Sequence, residues 1–243
     1  MPPLKAYASD LPYSYAPGVF PSLQLMNCCP QRAMRLLLSE KAQGEGIEKL
    51  RDLCAQHHVR EEVADKALSR ISGKQNCFAA VVFEKWQDEL QPDAPHVVLH
   101  HPMDEGNLGT IQRTLLGLDV CDLAIITPAA DPFDPKVVRA TMGAVFAMRV
   151  HRFADFDEYR QMYPSHALYP FMLDGSVLLE EAVKNQQRPF TLIFGNEGSG
   201  LPAEFASYGQ AVRIPHNQKI DSLNLAMAVG IGTYAFVHGK DAK

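Results

Sequence analysis

Apolar residues in this chain fall into two kinds of run. Some are short and nearly unbroken, as a strand buried on both faces requires. Others recur every three to four residues, as an amphipathic helix requires. In the first third, Met34–Leu38 and Cys77–Phe83 read as buried strands. Gly46–His57 carries Ile47, Leu50, Leu53 and Cys54 at helical spacing, and 63–71 repeats the pattern with Val63, Ala67, Leu68 and Ile71. Residues 88–95 are polar, contain two prolines and read as a linker. Beyond them the alternation becomes regular. Strands are expected at His96–Leu99, Leu123–Ile126, Ala147–Val150, Leu168–Leu173, Thr191–Phe194 and Ala211–Ile214. Helices are expected at Leu108–Leu116, Pro135–Gly143, Phe156–Tyr163, Val177–Asn185, Leu201–Tyr208 and Ser222–His238.

Strand–helix alternation with apolar strands predicts a parallel sheet covered on both faces. The expected organisation is a small α/β domain over residues 1–90 and a larger α/β domain over 91–243. In parallel sheets, ligands bind beyond the C-terminal strand ends. Three polar clusters fall there: His101 to Arg113, Phe194 to Leu201, and Pro215 to Asn224. Three clusters at one sheet edge point to a composed site.

The second cluster reads Phe-Gly-Asn-Glu-Gly-Ser-Gly-Leu, with Gly195, Gly198 and Gly200 after a strand. Glycines let a backbone approach a nucleotide-like ligand, and they are equally the default residues of a tight turn. Gly200 is followed by Leu201-Pro202, which excludes a phosphate-binding P-loop. The glycine order is wrong for a dinucleotide fingerprint, although Asp221 lies about 20 residues on. In the first cluster, Asn107 reads as the helix N-cap, Gly109 permits close approach, and Arg113 offers a fork that matches phosphate oxygens. In the third, Ser222 reads as an N-cap. Asn224 is a weak choice inside a helix, and His216 has no acid spaced to pair with it. Ala226, Ala228, Gly230, Gly232 and Ala235 give the last helix a stripe of small residues suited to core or subunit packing.

Composition narrows the class without naming the ligand. The chain has 243 residues, 47% hydrophobic and 21% charged, as in globular proteins. A net charge of −5 gives no support for broad coating of nucleic acid, though local basic patches remain compatible with it. No apolar run approaches the roughly 18 residues of a membrane span, and the first residues lack a signal pattern. Five cysteines without a C-x-x-C pair suggest reduced thiols and a cytoplasmic setting. The histidine pairs 57–58 and 100–101 lack ligand spacing, so no metal is expected.

Taken together, the segments N-x-G-x-x-x-R at Asn107–Arg113, F-G-N-E-G-x-G-L at 194–201 and I-P-x(6)-S-L-N at 214–224 resemble the three motifs of the SpoU/TrmH methyltransferases. A fourth segment, Pro135–Phe146, resembles that family's P-K-x-x-R-A-S-x-G-A-x-F. The likeness runs from about Val97 to the C-terminus. It departs where Leu118-Asp119 stand for Phe-Gly, and where His216 and Gln218 stand for Met and Gly.

The resemblance implies an S-adenosylmethionine-dependent RNA ribose 2′-O-methyltransferase of the SPOUT superfamily, with a C-terminal trefoil knot and an obligate homodimer. It implies catalytic positions at Asn107, Arg113, Glu197, Ser222 and Asn224, with Glu197 ordering its loop or a dimer contact. It implies cofactor contacts at Leu173, Gly195, Asn196, Gly198, Ile214 and Leu223. The first domain resembles, over its end at Gly73–Phe78, a ribosomal-protein-like substrate-binding domain. Lys74, Gln75 and Arg139 are then candidates to touch ribosomal or transfer RNA. The alternatives are a dinucleotide-binding oxidoreductase and a non-catalytic RNA-binding protein.

Overall fold

The computed structural model of the chain describes residues 4–72, 77–217 and 219–239. Lys74 and Gln75, the candidate RNA contacts, lie outside the described residues, as does Gln218. In chain order the elements are β1 (Tyr13–Pro17), α1 (Val19–Cys28), β2 (Ala33–Leu38), α2 (Glu45–Gln56), β3 (Arg60–Val63), α3 (Asp65–Ser72), β4 (Ala79–Glu84), β5 (His96–His100), α4 (Glu105–Gly117), β6 (Asp122–Ile126), α5 (Pro135–Ala140), β7 (Arg149–Phe153), α6 (Phe156–Met162), β8 (Ala167–Pro170), β9 (Val177–Leu178), α7 (Leu179–Lys184), β10 (Phe190–Phe194), β11 (Val212–Arg213) and α8 (Leu225–His238).

They divide into two compact units, residues 1–86 with 131–147, and residues 87–130 with 148–243. The first break falls between Trp86 and Gln87. The second unit, however, is interrupted: 131–147, the fourth motif, belongs to the first unit. Its aromatic residues explain this, because Phe133 and Phe146 pack edge-on against Phe83, with ring centroids 5.6 and 5.1 Å away. Lys85 also pairs with Asp131 at 2.7 Å.

The first unit holds a four-stranded sheet in the order β1-β4-β2-β3, in which only β2 and β3 are parallel. Tyr15, Leu37, Leu68, Ala80 and Val82 form part of its core. Two elements here lack a readable pattern. β1 is short and ends at Pro17. α1 starts with a proline in its first turn and buries Pro21, Ser22, Leu25 and Met26. Val63, read as helical, instead ends β3.

The second unit is built on a five-stranded sheet, β7-β6-β5-β10-β8, parallel throughout. β6 and β10 are buried along their whole length, as their unbroken apolar runs require. All C-terminal strand ends share one edge. The strand order reverses at β5: β6 and β7 lie to one side, β10 and β8 to the other. That reversal is where ligand crevices form. α6 covers one face, with Phe156 and Tyr159 set among Val98, Ala124, Ile126 and Ile193.

Three expectations are corrected in this unit. The 88–95 stretch is docked along the sheet, not a free linker: Leu90 is buried, and the Gln91 amide donates to Asp122 Oδ1 at 2.8 Å. The strand read at 211–214 stays out of the main sheet and pairs with β9, two residues read as helix start. The helix read at 201–208 is a short 3-10 turn, Ala203–Ser207, since Pro202 and Gly209 bound it tightly.

Candidate functional site

A cleft of about 290 Å³ opens at the C-terminal edge of the parallel sheet. Its walls come from the ends of β8 and β10, the whole glycine loop, and the segment from β11 into α8. Eight of the candidate catalytic and cofactor residues line it directly: Leu173, Gly195, Asn196, Glu197, Gly198, Ile214, Ser222 and Leu223.

The loop is shaped by its own side chains. Asn196 and Gly200 pair backbone to backbone at 2.9 and 3.2 Å. A Cβ on Gly195 would sit 2.1 Å from the Gly200 carbonyl carbon, so only glycine fits. Gly200 has φ +69°, the left-handed region that glycine enters without strain. Asn196 Oδ1 accepts from the amides of Gly198 (2.9 Å) and Ser199 (3.2 Å), while its Nδ2 donates to the His101 carbonyl at 2.8 Å. Those amides are therefore engaged by the loop itself. No full helix follows, which removes the pyrophosphate seat of a dinucleotide fold.

Glu197 reaches back to the loop after β5. Its carboxylate accepts from the Met103 amide (3.2 Å) and the Asp104 amide (3.1 Å). Asp104 in turn caps α4 through the Asn107 amide at 2.6 Å. Asn107 is thus the third residue of α4 and not its cap, a correction to the sequence reading. The signal for Asp104 was present: an acid directly before Glu105 and the helical run.

Asn224 is the N-cap of α8, a role the sequence reading gave to Ser222. Its Oδ1 accepts from Ala226 (2.9 Å) and Met227 (3.3 Å). Its Nδ2 donates to Asn107 Oδ1 at 3.0 Å, joining the first and third clusters across 117 residues of chain. That contact, between the N-terminal turns of α4 and α8, stands beside the cleft. The small residues of α8 account for its close packing: a Cβ on Gly232 would clash with Phe171, whose ring stacks on Phe194 at 4.4 Å.

Arg113 lies six residues beyond Asn107 on α4. It is exposed, makes no ion pair or hydrogen bond among the described residues, and is not part of the cleft wall. Arg139 lies on α5 in the other unit. His216 was left without a partner by sequence; the structure puts it in the cleft wall, with Nδ1 3.0 Å from the Ile214 carbonyl. Asp174 and Arg213, which sequence reasoning did not single out, also line the cleft. Among the described residues no cluster of histidine, cysteine or acidic side chains could hold a metal ion, and no helix is long and apolar enough to cross a membrane.

Comparison with known proteins follows the same residues. Residues 94–234 match the model that describes the SpoU rRNA methylase family. An uncharacterized tRNA/rRNA methyltransferase of Synechocystis is 27% identical over 177 residues, which cover 71% of this chain and 65% of that protein. A 23S rRNA (adenosine(1067)-2′-O)-methyltransferase of Streptomyces laurentii is 29% identical over 133 residues, 53% of this chain and 48% of that one. The chain thus spans about half to two thirds of the length of these curated relatives. The crystal structure of an AdoMet-bound rRNA methyltransferase from Sinorhizobium meliloti superimposes with a TM-score of 0.80 at 27% identity, over 96% of this chain and 89% of that one.

Proposed function

Because this chain belongs to the SpoU rRNA methylase family, we propose that it transfers a methyl group from S-adenosylmethionine to a ribose 2′-hydroxyl of RNA. The observation that carries the reading is the cleft itself. Its walls are the second and third motif segments, and the first is tied to them through Glu197 and through the Asn107–Asn224 bond. The residues present suit the cofactor. Apolar Ile214, Leu223, Leu225 and Ala228 offer a surface for an adenine, while Asp174 and Arg213 offer opposite charges for a zwitterionic amino-acid tail.

Bound S-adenosylmethionine supplies an electrophilic methyl carbon on a positively charged sulfur. The chain's own task is alignment, which lowers a bimolecular barrier by fixing the two partners. Asn107, Ser222 and Asn224 hold the edge of the cleft where the ribose enters. Arg113 positions a phosphate or hydroxyl of the RNA; a guanidinium donates hydrogen bonds and accepts none, so the hydroxyl proton leaves elsewhere, to a phosphate or water. Glu197, with its oxygens on two backbone amides, orders the loop.

At about 290 Å³ the cleft is at the small end for ligand sites. Met227 and Tyr234 on α8, each 60% exposed, with Ile231 between them, form an apolar stripe at helical spacing. This supports a homodimer in which α8 meets its counterpart. It is also the setting in which Arg113 would serve a site. The trefoil knot, an RNA-binding role for the first unit and a cytoplasmic setting belong to the same proposal.

Calorimetric titration separates the readings. S-adenosylmethionine is expected to bind and NAD is not. Tight NAD binding without S-adenosylmethionine binding refutes the proposal in favour of a dinucleotide enzyme. Mapping ribose methylation in RNA from cells with and without the protein identifies the target nucleotide.

A further inference from the structure

Among the described residues, His216 lines the cleft with a ring nitrogen to offer and has no place in the proposed methyl transfer. Its tautomer follows from its neighbour. A backbone carbonyl only accepts hydrogen bonds, so the Nδ1 that faces the Ile214 oxygen at 3.0 Å carries the proton. In the neutral ring Nε2 is then a bare acceptor. No hydrogen bond reaches it among the described residues, and the half-buried ring lines the cleft.

Most other polar groups of the cleft already have a role, Ser222 at the ribose edge among them. Glu197 is held by the Met103 and Asp104 amides, and Asn196 by the loop. Asp174 and Arg213 are the charged pair that a zwitterionic tail requires. What remains for the adenosine half of the cofactor is the apolar wall of Ile214, Leu223, Leu225 and Ala228, with the His216 ring beside Ile214.

We infer that His216 is a cofactor-specificity residue: its Nε2 accepts a hydrogen bond from the adenosine half of the bound ligand, through the exocyclic amine or a ribose hydroxyl. The inference rests on the methyltransferase reading but adds a contact that the motif resemblance does not contain, since that motif has a methionine in this place. A thioether offers only a weak acceptor. This chain therefore recognises adenosine by a polar group where an apolar one would merely pack. Because the ring must stay neutral to accept, a fixed positive charge there would also oppose the sulfonium of the cofactor more than its demethylated product.

The test is calorimetry on the full-length protein with three probes: S-adenosylmethionine, S-adenosylhomocysteine and 5′-methylthioadenosine, which lacks the amino-acid tail. His216→Phe removes the acceptor and is expected to weaken all three by a similar factor, roughly two- to tenfold, the worth of one neutral hydrogen bond. His216→Gln keeps an acceptor and is expected to recover most of the loss. His216→Arg is expected to weaken S-adenosylmethionine more than S-adenosylhomocysteine. Unchanged affinities in His216→Phe overturn the inference. So does a loss confined to the two tailed ligands, which would place the contact on the tail. If His216→Phe unfolds at a lower temperature than the parent, His216→Gln against His216→Arg decides alone. Failure of the unaltered protein to bind S-adenosylmethionine sinks the methyltransferase reading itself and is distinct from either result.

Discussion

Asn224 does two separable things, and replacing it measures both. Its Oδ1 caps α8 through two amides, and its Nδ2 bonds Asn107 across the site. Asn224→Ala removes the cap, worth about 1 kcal/mol. It also removes an exposed side-chain hydrogen bond worth about 0.5 kcal/mol. The sum, about 1.5 kcal/mol, corresponds to a fall in melting temperature of about 3–6 °C for a chain of this size. Asn224→Asp keeps the capping oxygen and places a negative charge at a helix N-terminus, where it is favourable. It is expected to melt within about 2 °C of the parent while losing methyl transfer, because the donor toward Asn107 is gone. Thermal melts followed by circular dichroism give the first quantity. Hydrogen exchange at the Ala226 and Met227 amides gives the local one, since only those two protons lose their acceptor in the alanine variant. If exchange at these amides is the same in Asn224→Ala as in the parent, the cap does not hold the helix start, and the argument that this residue ties α8 to α4 fails.

Arg113→Ala is expected to abolish turnover while S-adenosylmethionine affinity, measured calorimetrically, changes less than about twofold; wild-type turnover would remove Arg113 from the reaction. Gly195→Ala forces a Cβ to 2.1 Å from backbone, so the glycine loop must open. A loss of roughly 1–3 kcal/mol in stability, as for other overpacked sites, is expected with loss of cofactor binding. The third concerns acid. Burial pushes His96 down to about 4 from its ordinary 6.5, while the ring stays bonded to Tyr159 and the Gln91 carbonyl. The folded value lies below the unfolded one, so this residue's contribution is whole above about pH 6.5 and is lost as pH falls toward 4. The loss is on the order of 3 kcal/mol. His96→Gln is expected to flatten the fall in denaturation midpoint between those pH values; parallel curves for the two proteins would exclude His96 as its source.

Much of the second unit was legible because buried parallel strands write themselves as unbroken apolar runs. His96–Leu99, Leu123–Ile126 and Thr191–Phe194 each lie in a main-sheet strand within a residue or two. Ala147–Val150 was read early, since β7 begins at Arg149 and has half-buried positions at 149, 151 and 152. β9 and β11 are two residues each, too short for any period to show. The three motif segments were found as sequence, and the structure brings them to one edge. What sequence could not supply was direction. Nothing in the spacing says that Glu197 turns back onto backbone amides or that His216 faces the cleft. Those depend on which side of a loop meets its neighbour, a tertiary fact. The placement of Pro135–Phe146 likewise depends on which aromatic surface lies nearest in space, and chain order points to the wrong one.

That segment has a practical consequence for how the protein can be divided. The chain passes between its two units three times, at 86/87, 130/131 and 147/148. A deletion at residue 90, the natural cut by sequence, would leave Phe133, Val137, Val138 and Phe146 stranded without the β-sheet that shelters them. The remaining piece would carry a sticky loop and tend to aggregate. The units therefore cannot be exchanged with other proteins by end-to-end fusion. Either half can be moved intact only if residues 131–147 are spliced out of one and supplied to the other, so the two must be inherited together.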